Sequence, residues 1–402
     1  MDKSGVAMDK LSDASGQGAC LRGTIREVEK CKGFGMWNCP EIIAEIQGRV
    51  GFLTLNRPKA LNALTLPMIR ALTAALLRWR DDPNIAAVAI RGMGREGPFG
   101  MFCAGGDIRF FHQAALAGDP VLEEFFTEEY ALNHLIHAYP KPYLAFMDGI
   151  VMGGGMGISQ GASMRIVTQR SKLGMPETYI GLFPDVGGGY FLSRLRGAAG
   201  EWLALTGQVL GAGPAVALGL ADNYFPSQAL PAAWAALADL DWSAPQALAT
   251  WLAAHELAVP ADNTLSLDAV DAYFSLESLA AIMVALEADS SAWASQTAIS
   301  LRLRSPLMLH VALEQIRRAR GLSLAEDLRM ERDLVRHCFF TRHLARSGAS
   351  SETVEGIRAM AIDKDHQAHW QPAHIEDVTP EMVAPFFVSP WPPTAHPLRG
   401  LG

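Results

Sequence analysis

Cysteine is scarce in this 402-residue chain: five residues, Cys20, Cys31, Cys39, Cys103 and Cys338, an odd number with no C-x-x-C spacing. That argues against a disulfide framework and a thiolate zinc site, and fits free thiols in a reducing compartment. No apolar run approaches the roughly eighteen residues that span a bilayer, so no membrane partner is expected. The first residues carry Asp2, Lys3, Asp9 and Lys10 around no apolar stretch, unlike a signal peptide. Positive charge is in deficit, with 34 Lys and Arg against 42 Asp and Glu, so nucleic acid is not an expected partner either. A cytoplasmic enzyme is the resulting expectation. Missing too is a phosphate-binding loop of the Walker type, and the glycines of "GGGMG" lack the G-x-G-x-x-G spacing of a dinucleotide fingerprint.

What the chain does contain is an ordered succession of strand, glycine cluster and helix. Residues 1–38 mix Gly, Ser, Lys and Asp without a period and read as a flexible leader. Two alternating apolar runs in "EIIAEIQGRVGFLTLNRP" flank Gln47, Gly48 and Arg49 and predict a β-hairpin, with Pro58 ending the second strand. "LTLPMIRALTAALLRWRDD" has helical period with Thr65 as its cap. Then "AAVAIRG" leads to "FCAGGDIRFFHQAAL", and "KPYLAFMDGI" to "VMGGGMGISQGA"; "SMRIVTQR" is a further strand. Such alternation predicts an α/β layer with βαβ crossovers. Beyond about Gly200 the strand signals largely give way to Ala- and Leu-rich helical spacing. The expected division is a leader (1–38), an α/β core (39–230) and a mainly helical region (231–402).

Chemistry is suggested in two places. A strand running through glycines into a helix leaves backbone N–H groups free at the positive end of the helix dipole, and such groups stabilise an anion. In "CAGGD" the candidate donor is Gly106 and in "MGGGMG" it is Gly154; converging on one point, they would form an oxyanion hole. The alternative is that these glycines only permit tight turns. The second place is "MPETYIGLFPDVGGGYFLSRL", where Glu177 and Asp185 sit among bends and apolar residues that favour burial. Each is also a plausible turn residue. In "FFTEEYALNHLIHAYP", Glu128 and Glu129 face different directions on a helix, one toward solvent. His134 and His137 lack the further ligands of a metal site, as do the histidines of "IDKDHQAHW", so no metal is expected.

Taken in order, "LNRPKALNAL", "FCAGGDI", "MDGIVMGGGMGIS" and "MPETYIGLFPDVGGGYFLSRL" resemble the signature segments of the crotonase (enoyl-CoA hydratase/isomerase) superfamily. The resemblance spans roughly residues 42 to 388. It is closest to the superfamily's 3-hydroxyisobutyryl-CoA hydrolase branch, through "EEYALNHLI", "PDVGG" and the tail "VEGIRAMAIDKDHQAHWQP". It implies a crotonase-like ββα spiral core with a helical C-terminal region, and an acyl-CoA thioester as substrate, with coenzyme A part of that substrate and no separate cofactor. It also implies an oxyanion hole from Gly106 and Gly154, and catalytic carboxyls at Glu177 and Asp185. Glu129 would bind the substrate's 3-hydroxyl, its alternative being a helix-surface charge. Lys59, Ala60 and Leu61, with Ala104 and Asp107, would lie along the CoA, and the tract around Lys364 would cover the nucleotide. Hydratases of this superfamily use a second glutamate three residues after the second oxyanion glycine; here that position is Gly157. The expected reaction is therefore thioester hydrolysis. The rivals are an enoyl-CoA hydratase or isomerase working with Glu177 alone, and a non-catalytic RNA-binding or scaffold protein of the same fold. A homo-oligomer is compatible with the resemblance.

Overall fold

A computed structural model describes residues 39–259 and 266–402; the expected leader at 1–38 lies outside the described residues. The predicted hairpin forms from β1 (Ile42–Gln47) and β2 (Val50–Leu55), with Gln47 opposite Val50. Gly48 supplies the positive φ, 57°, that a two-residue turn requires. The helix that follows, α1 (Leu66–Arg80), is capped by the Thr65 side chain, which accepts the Met68 N–H.

From β2 onward the strands are parallel. β3 (Ala87–Gly92), β4 (Tyr143–Met147), β6 (Met164–Val167) and β8 (Asn223–Tyr224) complete a six-stranded sheet in the order β1-β2-β3-β4-β6-β8. A second, smaller sheet pairs β5 (Ile150–Met152) with β7 (Lys172–Gly174), and Cys103 adds a bridge to Val151 at its edge. Each turn of the chain thus lays a strand in the large sheet and then a short strand in the small one. That is the expected α/β spiral. The short β8 is a strand beyond Gly200 where the sequence carried little strand signal; two residues are too few to show alternation.

One face of the large sheet carries Phe52, Phe146 and Phe225 beneath Trp234 and Trp251, from the helices Leu230–Ala236 and Ala247–His255. Trp251 donates its indole N–H to the Ala233 carbonyl at 2.9 Å, so the aromatic layer is satisfied as well as packed. This core continues across the expected boundary at 230, and residues 39–402 form one compact unit. The later helices, among them Pro306–Ala319 and Leu324–Phe339, pack back onto α3 (Val121–His137) and onto the segment that carries Asp185.

Candidate active site

The small sheet positions the chemistry. Cys103 pairs with Val151 and Val151 with Leu173, so the residues three further along, Gly106, Gly154 and Pro176, leave one sheet edge side by side. Gly106 precedes α2 (Ile108–Ala117) and Gly154 opens α4 (Gly154–Gln160). Glu177 opens the 3-10 turn Glu177–Ile180. Leu64 takes the carbonyl of Gly105 and the N–H of Asp107, while the Gly106 and Gly154 N–H groups have no donor role toward any described residue. A β-carbon on Gly154 would lie 3.3 Å from the Gly106 nitrogen, which places the two N–H groups together. Gly153, at φ 49°, makes the turn that aims them.

Both glycines open on a cavity of about 340 Å³. Its walls include Ala104, Gly106, Glu129, Gly154, Glu177 and Asp185, so six of the ten residues singled out in the sequence come together. Lys59, Ala60 and Leu61 lie outside this lining, Lys59 exposed and the other two half-buried, and the Leu61 carbonyl accepts the Ala104 N–H. Asp107 also lies outside it. Its carboxylate caps α2 through the Phe110 N–H and pairs with Arg57 at 2.8 Å, roles that leave it shaping the loop.

Glu129 falls on the buried stripe of α3, in phase with Leu122, Phe125, Phe126 and Asn133, whereas Glu128 points outward and pairs with Arg70 at 2.6 Å. That helical phase decides between the two acids. Glu129, Glu177 and Asp185 are 2%, 6% and 5% exposed, so all three sit inside the protein. Among the described residues, Glu129 Oε1 and Glu177 Oε2 have no hydrogen-bond partner. Glu129 Oε1 stands 2.6 Å from where a Gly154 β-carbon would be, and Glu177 Oε1 stands 2.9 Å from the corresponding point on Gly153. The two acids therefore flank the pair of N–H groups. Asp185 Oδ2 accepts the Tyr130 hydroxyl at 2.8 Å.

Burial, followed by the Asp185 charge, pushes the Glu177 and Glu129 carboxyls well above the usual carboxylate range. Asp185 is pushed up to about 6 by burial, opposed by the Tyr130 hydrogen bond and by its own backbone N–H. Three carboxyls in one low-dielectric cavity disfavour one another's ionisation, so their protonation is linked and one of them can hold a proton while another gives it up.

The position of the missing second glutamate is closed. A β-carbon on Gly157 would come within 2.7 Å of Val186 Cβ and 2.9 Å of Asn133 Nδ2. Sequence reasoning missed Tyr130, although it adjoins Glu129, because nothing local shows that its hydroxyl reaches a residue 55 positions away. It also missed the apolar walls Phe111, Met152, Tyr179 and Met360, whose residue types are those of any core. Among the described residues no group of His, Cys, Asp and Glu is arranged to hold a metal ion.

An enoyl-CoA hydratase/isomerase family profile matches residues 50–387, and the chain belongs to that family. Among its relatives is the protein named 3-hydroxyisobutyryl-CoA hydrolase, mitochondrial, of Xenopus tropicalis, 39% identical over 85% of this chain and 87% of its own length. The protein of the same name from Danio rerio is 39% identical over 87% and 90%. A crystal structure described as a carnitinyl-CoA dehydratase from Mycobacterium thermoresistibile is 36% identical. It covers 87% of this chain and 97% of its own, with a TM-score of 0.79. The relatives' names give no support to the expectation of a cytoplasmic enzyme.

Proposed function

We propose that this protein hydrolyses the thioester of a short 3-hydroxyacyl-CoA, 3-hydroxyisobutyryl-CoA in the first instance, to the free acid and CoA, as a step of valine breakdown. The observation that carries the reading is one cavity that joins two free N–H groups to Glu177 and Asp185 while Gly157 leaves no room for a second hydratase glutamate. The names of the hydrolase relatives support it.

In this mechanism the thioester carbonyl oxygen accepts the Gly106 and Gly154 N–H groups, which stabilise the negative charge it gains. Glu177 either attacks the carbonyl carbon, forming a mixed anhydride that water then cleaves to the free acid and the restored Glu177, or takes a proton from a water whose oxygen attacks that carbon. The C–S bond breaks, CoA leaves as the thiolate, and Asp185 assists proton transfer to it. Glu129 holds the 3-hydroxyl, and CoA runs out past Ala104 toward Lys59, Ala60 and Leu61. No separate cofactor is required by these steps.

Dehydration or hydration is the competing reading, and the name of the Mycobacterium structure favours it. The test is CoA release from 3-hydroxyisobutyryl-CoA, followed with a thiol reagent, beside consumption of the matching enoyl-CoA. Hydrolysis predicts rapid thiol release that falls roughly 10²–10⁴-fold in Glu177→Gln. Enoyl-CoA consumption without thiol release would move the protein to the hydratase or isomerase branch.

A further inference from the structure

Asp185 sits in a turn whose backbone is held from behind. Val186 has φ 57° and Gly187 φ 89°, so two successive residues adopt the left-handed region, the first of them β-branched and disfavoured there. The N–H groups of Gly187 and Gly189 both point into the protein and donate to the two oxygens of Glu331, at 2.7 and 2.9 Å. Gln315 Nε2 donates to the Pro184 carbonyl at 2.7 Å and to Glu331 Oε1 at 3.1 Å. Asp327, one turn before Glu331, takes the Tyr190 N–H at 2.8 Å. Glu331, Gln315 and Asp327 are fully buried, and none lines the cavity.

A buried carboxyl is costly unless hydrogen-bonded or paired. Among the described residues Glu331 has no cationic partner; beside the Asp327 carboxyl, what it receives is the turn's own N–H groups and the Gln315 amide. Its contacts are therefore specific to one backbone conformation, the one that carries Asp185 between Pro184 and the strained Val186. On the opposite side, the Asp185 side chain meets the Tyr130 hydroxyl. We infer that Glu331, braced by Gln315, is a positioning residue for the reaction: it holds the turn at residues 184–189 so that the Asp185 carboxyl stays in register with Tyr130, Glu177 and the oxyanion glycines. The inference rests on Asp185 taking part in thioester cleavage.

A double-mutant cycle on the full chain tests it, with CoA release from 3-hydroxyisobutyryl-CoA as the readout. Glu331→Gln keeps the side-chain volume but places an NH2 against a backbone N–H. It is expected to lower kcat about 10²-fold, the effect of misplacing a reacting group by about 1 Å, with KM within about threefold of wild type. In an Asp185→Asn background the same substitution is expected to cost less than about threefold, because there is no carboxyl left to misplace. Equal losses in both backgrounds, or a KM that rises in step with the fall in kcat, would overturn the proposal. If Glu331→Gln gives no cooperative melting transition, Gln315→Met, which removes only the amide's hydrogen bonds, replaces it in the same cycle under the same criteria. The hydrolase reading is checked separately by the wild type, whose failure to release CoA would sink both ideas before any variant is compared.

Discussion

Tyr130 donates its hydroxyl to Asp185 Oδ2 across 2.8 Å, with both groups buried. A hydrogen bond to the ionised carboxylate favours that form, and this bond opposes the burial that raises Asp185 to about 6. Removing it in Tyr130→Phe raises the Asp185 pKa further. Because Asp185 assists proton transfer to the leaving thiolate, its ionisation closes activity on the alkaline side, and that limb of kcat/KM against pH is expected to move up by roughly one unit, the worth of one such bond. A profile measured from acid to mildly alkaline pH decides the matter: a limb that stays in place assigns it to a group other than Asp185.

Glu129 Oε1 faces the cavity beside Gly154 without a partner, so a substrate hydroxyl that bonds to it should count strongly. In Glu129→Gln, the ratio of kcat/KM for 3-hydroxyisobutyryl-CoA to that for isobutyryl-CoA is expected to fall about 10- to 100-fold, in line with losing a charge-capable hydrogen bond. Competition between the two thioesters gives the ratio directly. An unchanged ratio would remove Glu129 from hydroxyl recognition.

At Gly157 the effect should appear in stability first. A methyl group there would collide with Val186 Cβ at 2.7 Å and crowd Asn133 at 2.9 Å. Overpacking of this kind costs about 1–3 kcal/mol, and Gly157→Ala is expected to lose that much in urea unfolding. Because Val186 adjoins Asp185, hydrolysis should fall as well. A variant as stable as wild type would show that the site yields more easily than its contacts indicate.

The buried acids should make stability fall with rising pH. Asp185 is at about 6 in the folded protein against an ordinary 3.8, so the native state holds its proton more tightly than the unfolded chain. Its contribution to stability is fully present below about pH 4 and is lost as pH rises through about 6. Glu177 and Glu129, raised by the same burial, add losses of the same sign. Asp185→Asn cannot ionise, so it is expected to exceed wild type by on the order of 2 kcal/mol at pH 8 and to match it near pH 4 while losing activity. Denaturant unfolding at the two pH values measures the difference; equal gains at both would assign the stabilisation to something other than the proton.

How much of the site could be read in the residues varies with its kind of signal. The two glycine runs announce their turns because only glycine suits φ 49° combined with ψ −121° at Gly153 or tolerates a carboxylate oxygen 2.6 Å from the place of its own β-carbon at Gly154. The phase of α3 indicates that one of Glu128 and Glu129 is inside. By contrast, the acids Asp327 and Glu331 lie on a strongly amphipathic helix with a capping box at Ser323 and Glu326, and in the sequence they look like more of its charged face. Their burial depends on where a turn 137 to 144 residues earlier presents its N–H groups.

By itself, then, the sequence determined the local elements, from the hairpin at Gly48 to the Thr65 cap, and through its motifs the family and four residues that line one cavity, Gly106, Gly154, Glu177 and Asp185. Those features are written in nearest-neighbour chemistry: backbone conformations that only certain residues adopt, and periods that sort one face from another. Tertiary structure alone decided which acid of α3 enters the cavity, that Tyr130 meets Asp185, that Asp107 is engaged by Arg57, and that Gly157 is walled in by Val186. These are contacts between segments far apart in the chain. Their geometry is set by the register of the two sheets and by helices returning from beyond residue 300, and no local pattern encodes it.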